Sequence, residues 1–205
     1  MIILLLNILV GAMVSFAGSL PVGVINITAM QIGWSKGIRA ACSFAVACAV
    51  IEAIYSTVAV VAANAFIHTD SQRTGANLVS IVVLLIGGVY YWRKHPTGER
   101  SSTGLNVFSK GILLSLINLA AVPFWLVYTA ILQTHHWISI NSFPTITTYI
   151  IGISLGTALA LLTFATIGKQ AGRHLNPNVQ WINKVTGTIL FGSGLIQAAT
   201  LAQGL

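Results

Sequence analysis

Apolar runs of about 17 or more residues recur from one end of the chain to the other, each able to cross a hydrocarbon core about 30 Å thick as a helix. They lie near 2–31, 40–66, 76–92, 111–132, 146–168 and 185–201. Hydrophobic residues make up 56% of the chain and charged residues 6%, against about 25% charged in an ordinary soluble domain, so lipid has to be the solvent for most of the surface. The reading is an all-α polytopic membrane protein of six transmembrane helices, a single transmembrane domain over residues 1–205. The connections are short and carry turn signals, as in Gly33-Trp-Ser-Lys-Gly37 and Asn176-Pro177-Asn178. None is long enough to hold a further domain.

The formal charge of +7 would point to nucleic acid in a soluble protein. Here it comes from the loops. Lys36 and Arg39 fall in the first, Arg93, Lys94, Arg100 and Lys110 in or beside the third, and Lys169, Arg173 and Lys184 in or beside the fifth; only Arg73 lies on an even-numbered one. By the positive-inside rule the odd loops are cytoplasmic and both termini lie outside, across a bacterial inner membrane. Nucleic acid is therefore no partner; the bilayer is. The apolar start of the chain lacks a basic n-region and runs on without interruption, so it is expected to stay as the first helix. Trp34, Trp92, Trp137, Trp181, Tyr90, Tyr91 and Tyr149 fall at predicted helix ends, where amphipathic rings favour the headgroup level. Cys42 and Cys48 share one apolar segment and read as free buried thiols.

Three helices precede the basic third loop and three follow it, so the halves, about 1–95 and 107–205, take opposite orientations, the plan of inverted-repeat transporters. Each half pairs Pro with Asn in its first apolar segment: Pro21, Gly23 and Asn26 in one, Asn118 and Pro123 in the other. Matched interruptions free backbone N–H and C=O groups to bind a solute, and the two are expected to face one cavity; the plainer reading is a packed proline kink in each.

Of three acidic residues, Asp70 and Glu99 belong to loops and Glu52 sits near the middle of the second span. An ionised carboxylate there costs about 2.5–3.5 kcal/mol on insertion scales, so such groups usually face a cavity and function. Ala45, Cys48, Ala49, Glu52, Ser56 and Ala59 make a small and polar stripe at helical spacing, which faces protein rather than lipid. A carboxyl there can take a proton, a cation or a solute amino group; as structural glue it would instead hydrogen-bond Ser, Thr or Asn of a neighbouring helix. Trp125 and Tyr128, beside Pro123, are placed to hold a solute ammonium by cation–π attraction, with core filling the alternative. Gly152, Gly156 and Ala160, and Gly187, Gly194 and Ala198, give the fifth and sixth helices smooth packing faces.

His135 and His136 are adjacent, not one helical turn apart, and the other histidines are scattered, so no metal site is read and no cofactor is implied. The spans hold no His and no second carboxylate, which argues against an intramembrane enzyme. A cation exporter or channel on a similar six-helix plan is the alternative to an exporter of organic solutes, although it would call for more intramembrane acids or Cys and His ligands. A homo-oligomer is neither required nor excluded.

Pro21-Val-Gly-Val-Ile-Asn26, followed by the short basic glycine loop at 33–39, resembles the Pro-x-Gly-Pro-x-Asn region of LysE-type translocators. Glu52 falls where many members carry an acid in the second helix, and Asn118 where they have an Asn-Pro-Lys-like motif. The likeness extends over the whole chain in length, hydropathy and motif order. It implies an inner-membrane exporter of amino acids or related small solutes, driven by the membrane potential or by proton exchange. The chain departs from the pattern at Val24, where a second proline is usual, and at Leu119-Ala120, which replaces Pro-Lys; Pro123 arrives a turn later.

Overall fold

In the computed structural model, which describes residues 1–21, 23–66, 70–93, 106–118, 121–171 and 179–203, every regular element among the described residues is an α-helix. Lys94, Arg100, Arg173, Glu99, His68, His95, His174, Leu119 and Ala120 lie outside the described residues. The order is α1 (Ile2–Gly18), α2 (Val24–Ser35), α3 (Ile38–Phe66), α4 (Asp70–Arg93), α5 (Val107–Ile117), α6 (Ala121–Thr134), α7 (Phe143–Ala171) and α8 (Val179–Gln203). Two stretches, Ile38–Ala63 and Phe143–Gln170, are each long and apolar enough to cross a membrane. The pair Val107–Ile117 and Ala121–Thr134, bent by 68°, makes a third if its halves form one span, and Ile2–Gly18 is a shorter apolar helix.

The first and fourth apolar runs are thus each split into two helices, and the sequence gives the reasons. Pro21 has no N–H to donate and disfavours helix in the residue before it, so α1 ends at Gly18 and the chain restarts only after Gly23, which is fully extended. In the other half the break precedes its proline. Asn118 leaves the helix with φ −80° and ψ 60°, and Pro123 falls in the first turn of α6, where a missing N–H costs nothing. Pro123 therefore starts a helix and Asn118 ends one.

Glycines set the seams. A Cβ added to Gly152 would lie 2.3 Å from the Ile8 carbonyl oxygen, and one on Gly156 2.3 Å from that of Ala12. Together with Asn7 against Thr145, these contacts show α1 and α7 running side by side in the same sense. Gly33 of α2 sits on the Ala165 backbone and Gly168 of α7 on that of Met30. Gly88 meets Gly187 and Phe191, while Gly194 meets Leu84 and Leu85, so α4 and α8 run antiparallel. Such close approach is how helices gain contact in lipid, where no hydrophobic force drives them together. α3 packs on α5 with Phe44 and Ala47 against Gly111 and Tyr55 against Leu116, both helices pointing the same way. Of the closely packed pairs, all except α2 with α3 join a helix before residue 94 to one after residue 106.

These registers put Lys36, Arg39, Lys110 and Lys169 at one end of the bundle, and Asn7, Ser139 and Thr145 at the other. Outward faces are apolar: Val46, Val50, Ile54 and Val58 of α3 are exposed, while Ala45, Cys48, Ala49, Ser56 and Ala59 of the same helix are buried. That is the separation a lipid-facing helix requires. Trp34, Trp92, Trp137 and Tyr90 are exposed, as interface anchors should be.

Two expectations are corrected. Tyr149 is no anchor: α7 begins at Phe143, which carries Tyr149 well inside the helix, where its ring is fully buried and its hydroxyl lies 3.4 Å from Thr129 Oγ1. Cys42 is exposed, and only Cys48 is buried. Six residues along a helix is a rotation of about 240°, which sends the two thiols to different faces.

Candidate functional site

Among the described residues Glu52 is the only acidic side chain in the interior of an apolar helix, and its partner is a tryptophan. Trp125 Nε1 donates to Glu52 Oε1 at 2.5 Å. The expected glue would have used Ser, Thr or Asn; the indole serves instead. Glu52 is half-buried and Trp125 is enclosed. Oε2 takes no hydrogen bond from any described residue. The carboxyl thus has one oxygen occupied and one to offer.

Trp125 is held by rings. Phe124 meets it edge-on with centroids 5.0 Å apart, and Tyr149 does so from α7 at 6.2 Å. Phe124 also lies against Tyr128 with centroids 4.4 Å apart, yet Tyr128 is exposed and makes no hydrogen bond to the carboxyl. Of the two aromatic candidates, Trp125 reaches Glu52 and Tyr128 does not.

Each break has its own stitch. In the first, the Asn26 side-chain amide donates to the carbonyl oxygens of Ser19 (2.8 Å) and Pro21 (2.9 Å), satisfying two groups that the interrupted helix leaves open. Gly23 caps α2 with no side-chain hydrogen bond, and a Cβ added to it would meet nothing within 4 Å. No N-cap side chain satisfies the first-turn amides of α2. In the second break, Asn118 donates its backbone N–H to Ser115 and its carbonyl accepts from Ala121 N. Tyr55 of α3 donates its hydroxyl to the Leu116 carbonyl at 2.7 Å, closing the end of α5. Gly18, the last residue of α1, lies against Phe124: a Cβ there would be 2.5 Å from Phe124 Cζ. That ring brings the end of α1, where the first break begins, against α6, where the second break ends.

A cavity of about 620 Å³ opens elsewhere, at the end of the bundle opposite Lys110 and Lys169, lined by Ile3, Gln133, Thr134, His136, Ser139 and Asn141. None of the solute-site candidates Pro21, Gly23, Asn26, Glu52, Asn118, Pro123, Trp125 and Tyr128 lines it.

Residues 16–199 match the family model of the LysE type translocator. The chain belongs to that family. It is a membrane transporter, of a family of transporters rather than of enzymes. No match was found among curated proteins or among solved structures. The matched region contains both breaks, Glu52 and Trp125. Sequence reading missed Tyr55 and Phe124, and it gave Trp125 a different task. One signal was present: a lone carboxyl and a lone indole N–H in apolar spans each need a partner, and each is the natural answer to the other.

Proposed function

We propose that the chain is a six-span exporter of the bacterial inner membrane that carries amino acids or similar small solutes outward, drawing on the proton gradient or the membrane potential. The observation that carries this reading is the half-occupied carboxyl of Glu52, set between the body of α3 and a broken helix. The solute ammonium goes to Glu52, and the solute carboxylate to the uncapped amides at the start of α2, where a helix N-terminus favours an anion. Pro21, Gly23 and Asn26 shape that end; Asn118 and Pro123 shape the other.

Helix directions support the six spans. If α1 with α2, and α5 with α6, each count as one span, an alternating path makes the first span parallel to the fifth, the second parallel to the fourth, and the third antiparallel to the sixth. These are the senses of α1 with α7, α3 with α5, and α4 with α8. The same path gives two inverted halves, about 1–95 and 107–205. The shared end of Lys36, Arg39, Lys110 and Lys169 is then cytoplasmic and both termini lie outside. A reporter fused after Lys94 should read as cytoplasmic; a periplasmic signal there would reverse the orientation.

The site is tested at Glu52. In cells loaded with dipeptides, Glu52→Gln should keep the normal level of protein in the membrane while export falls at least about tenfold, the loss of one charge-assisted contact. Glu52→Asp should keep part of the activity. Near-normal export by the Gln variant would make the carboxyl a packing group, because an amide oxygen accepts from Trp125 as well as a carboxylate oxygen does.

A further inference from the structure

α3 holds the broken helix at two points, one on each side of the break. Tyr55, a turn beyond Glu52, donates to the Leu116 carbonyl in the last turn of α5. Glu52 accepts from Trp125 in α6. The two holds differ in what can displace them. A phenol on a backbone carbonyl is a neutral pair with no competitor. A carboxyl oxygen occupied by an indole N–H is open to exchange, since an ammonium brings charge and three donors where the indole brings one neutral donor.

We propose that Trp125 is a positioning residue that latches α6 to α3: an ammonium-bearing solute that meets Glu52 at its open oxygen competes, through its further donors, with the indole N–H for the other, so solute binding frees α6 while α5 stays pinned by Tyr55. This rests on Glu52 being the solute-binding carboxyl. Three features fit a latch better than a packing contact. Trp125 is 1% exposed, and a buried indole N–H needs an acceptor; here that acceptor is the one interior acid, not a backbone carbonyl. Phe124 and Tyr149 meet the indole at 89° and 88°, which fixes the ring plane and with it the direction of the N–H. The break at 118–120 lies between the two holds, so releasing one of them lets α6 pivot without disturbing α5.

A latch has a signature opposite to that of a structural prop. The apparent affinity for solute is reduced by the fraction of transporter whose carboxyl is free, so removing the latch tightens solute binding, whereas removing a prop loosens it or leaves it unchanged. The experiment feeds cells a casein peptide digest and follows export of each released amino acid against its cytoplasmic concentration. Position 125 carries 3-benzothienylalanine, which keeps the shape of tryptophan and puts sulfur in place of the N–H; Trp125→Phe is the second variant. The expected result is a half-saturating concentration about tenfold lower in both, the weight of one hydrogen bond to a charged group, with a lower maximal rate. Tyr55→Phe should lower the maximal rate and leave half-saturation where it was. A half-saturating concentration that is unchanged or raised at position 125, while Glu52→Gln abolishes export, overturns the latch and leaves Glu52 as the site. Normal export by Glu52→Gln overturns both.

Discussion

The two breaks answer one physical problem with different resources. A helix interrupted inside the bilayer leaves carbonyls that water cannot reach, and each must find a donor in the protein. The break at 19–23 finds its donors locally: Asn26, seven residues after Ser19 and five after Pro21, binds both carbonyls from the first turn of the next helix. That helix is fixed in turn by Gly33 on Ala165 and Gly168 on Met30. The break at 118–120 borrows its bracing from α3, through Tyr55 on one side and Glu52 on the other. A break stitched by its own segment keeps its shape whatever its neighbours do. A break braced from outside changes when its brace is occupied, so the second is the one a solute can move.

The largest effect should come where the first break is fixed most rigidly. A methyl at Gly33 would stand 2.1 Å from the Ala165 carbonyl oxygen, a backbone atom that cannot swing away, so Gly33→Ala should cost about 3 kcal/mol by overpacking and show as a large fall in detergent melting temperature. An unchanged melting temperature would mean that α2 is free to move, and the contrast between the breaks would fail. Asn26→Ala comes next. It leaves two carbonyls without donors and should cost about 2 kcal/mol, again read in melting temperature, with export following the amount of folded protein. Specific loss of transport at normal stability would instead give the first break a working role. Smallest in stability is Tyr55→Phe, at about 1 kcal/mol for one interhelical hydrogen bond, with a fall in maximal export larger than the fall in protein level. Stability and export falling together would make both breaks equally structural.

Much of this arrangement was legible in the chain. Pro21, Asn26 and Asn118 marked the breaks because proline chemistry and side-chain amides act over a few residues. The stripe from Ala45 to Ala59 was readable because helical spacing is local too, and the buried face of α3 follows it. Asn118 and Pro123 bracket the second break with different tasks: Asn118 ends one helix, and Pro123 falls in the first turn of the next. Tyr149 misled because the interface rule depends on where a helix starts, and α7 starts earlier than its apolar run. The pairing of Glu52 with Trp125 spans 73 residues, and no local rule reaches that far. Only the requirement that each lone polar group find a partner pointed to it.

The interlacing of the halves has a consequence for how the protein is made. The seams of α1, α2 and α3 with α7, and of α4 with α8, all need segments that leave the ribosome last. Until residue 143 has been synthesised, the first four helices wait in the membrane with glycine faces uncovered and Asn7 and Ser15 lacking the partners that α7 and the segment before it supply. Truncation before α7 should therefore leave a fragment that quality-control proteases clear, while the halves made as two chains have every major seam available to find one another.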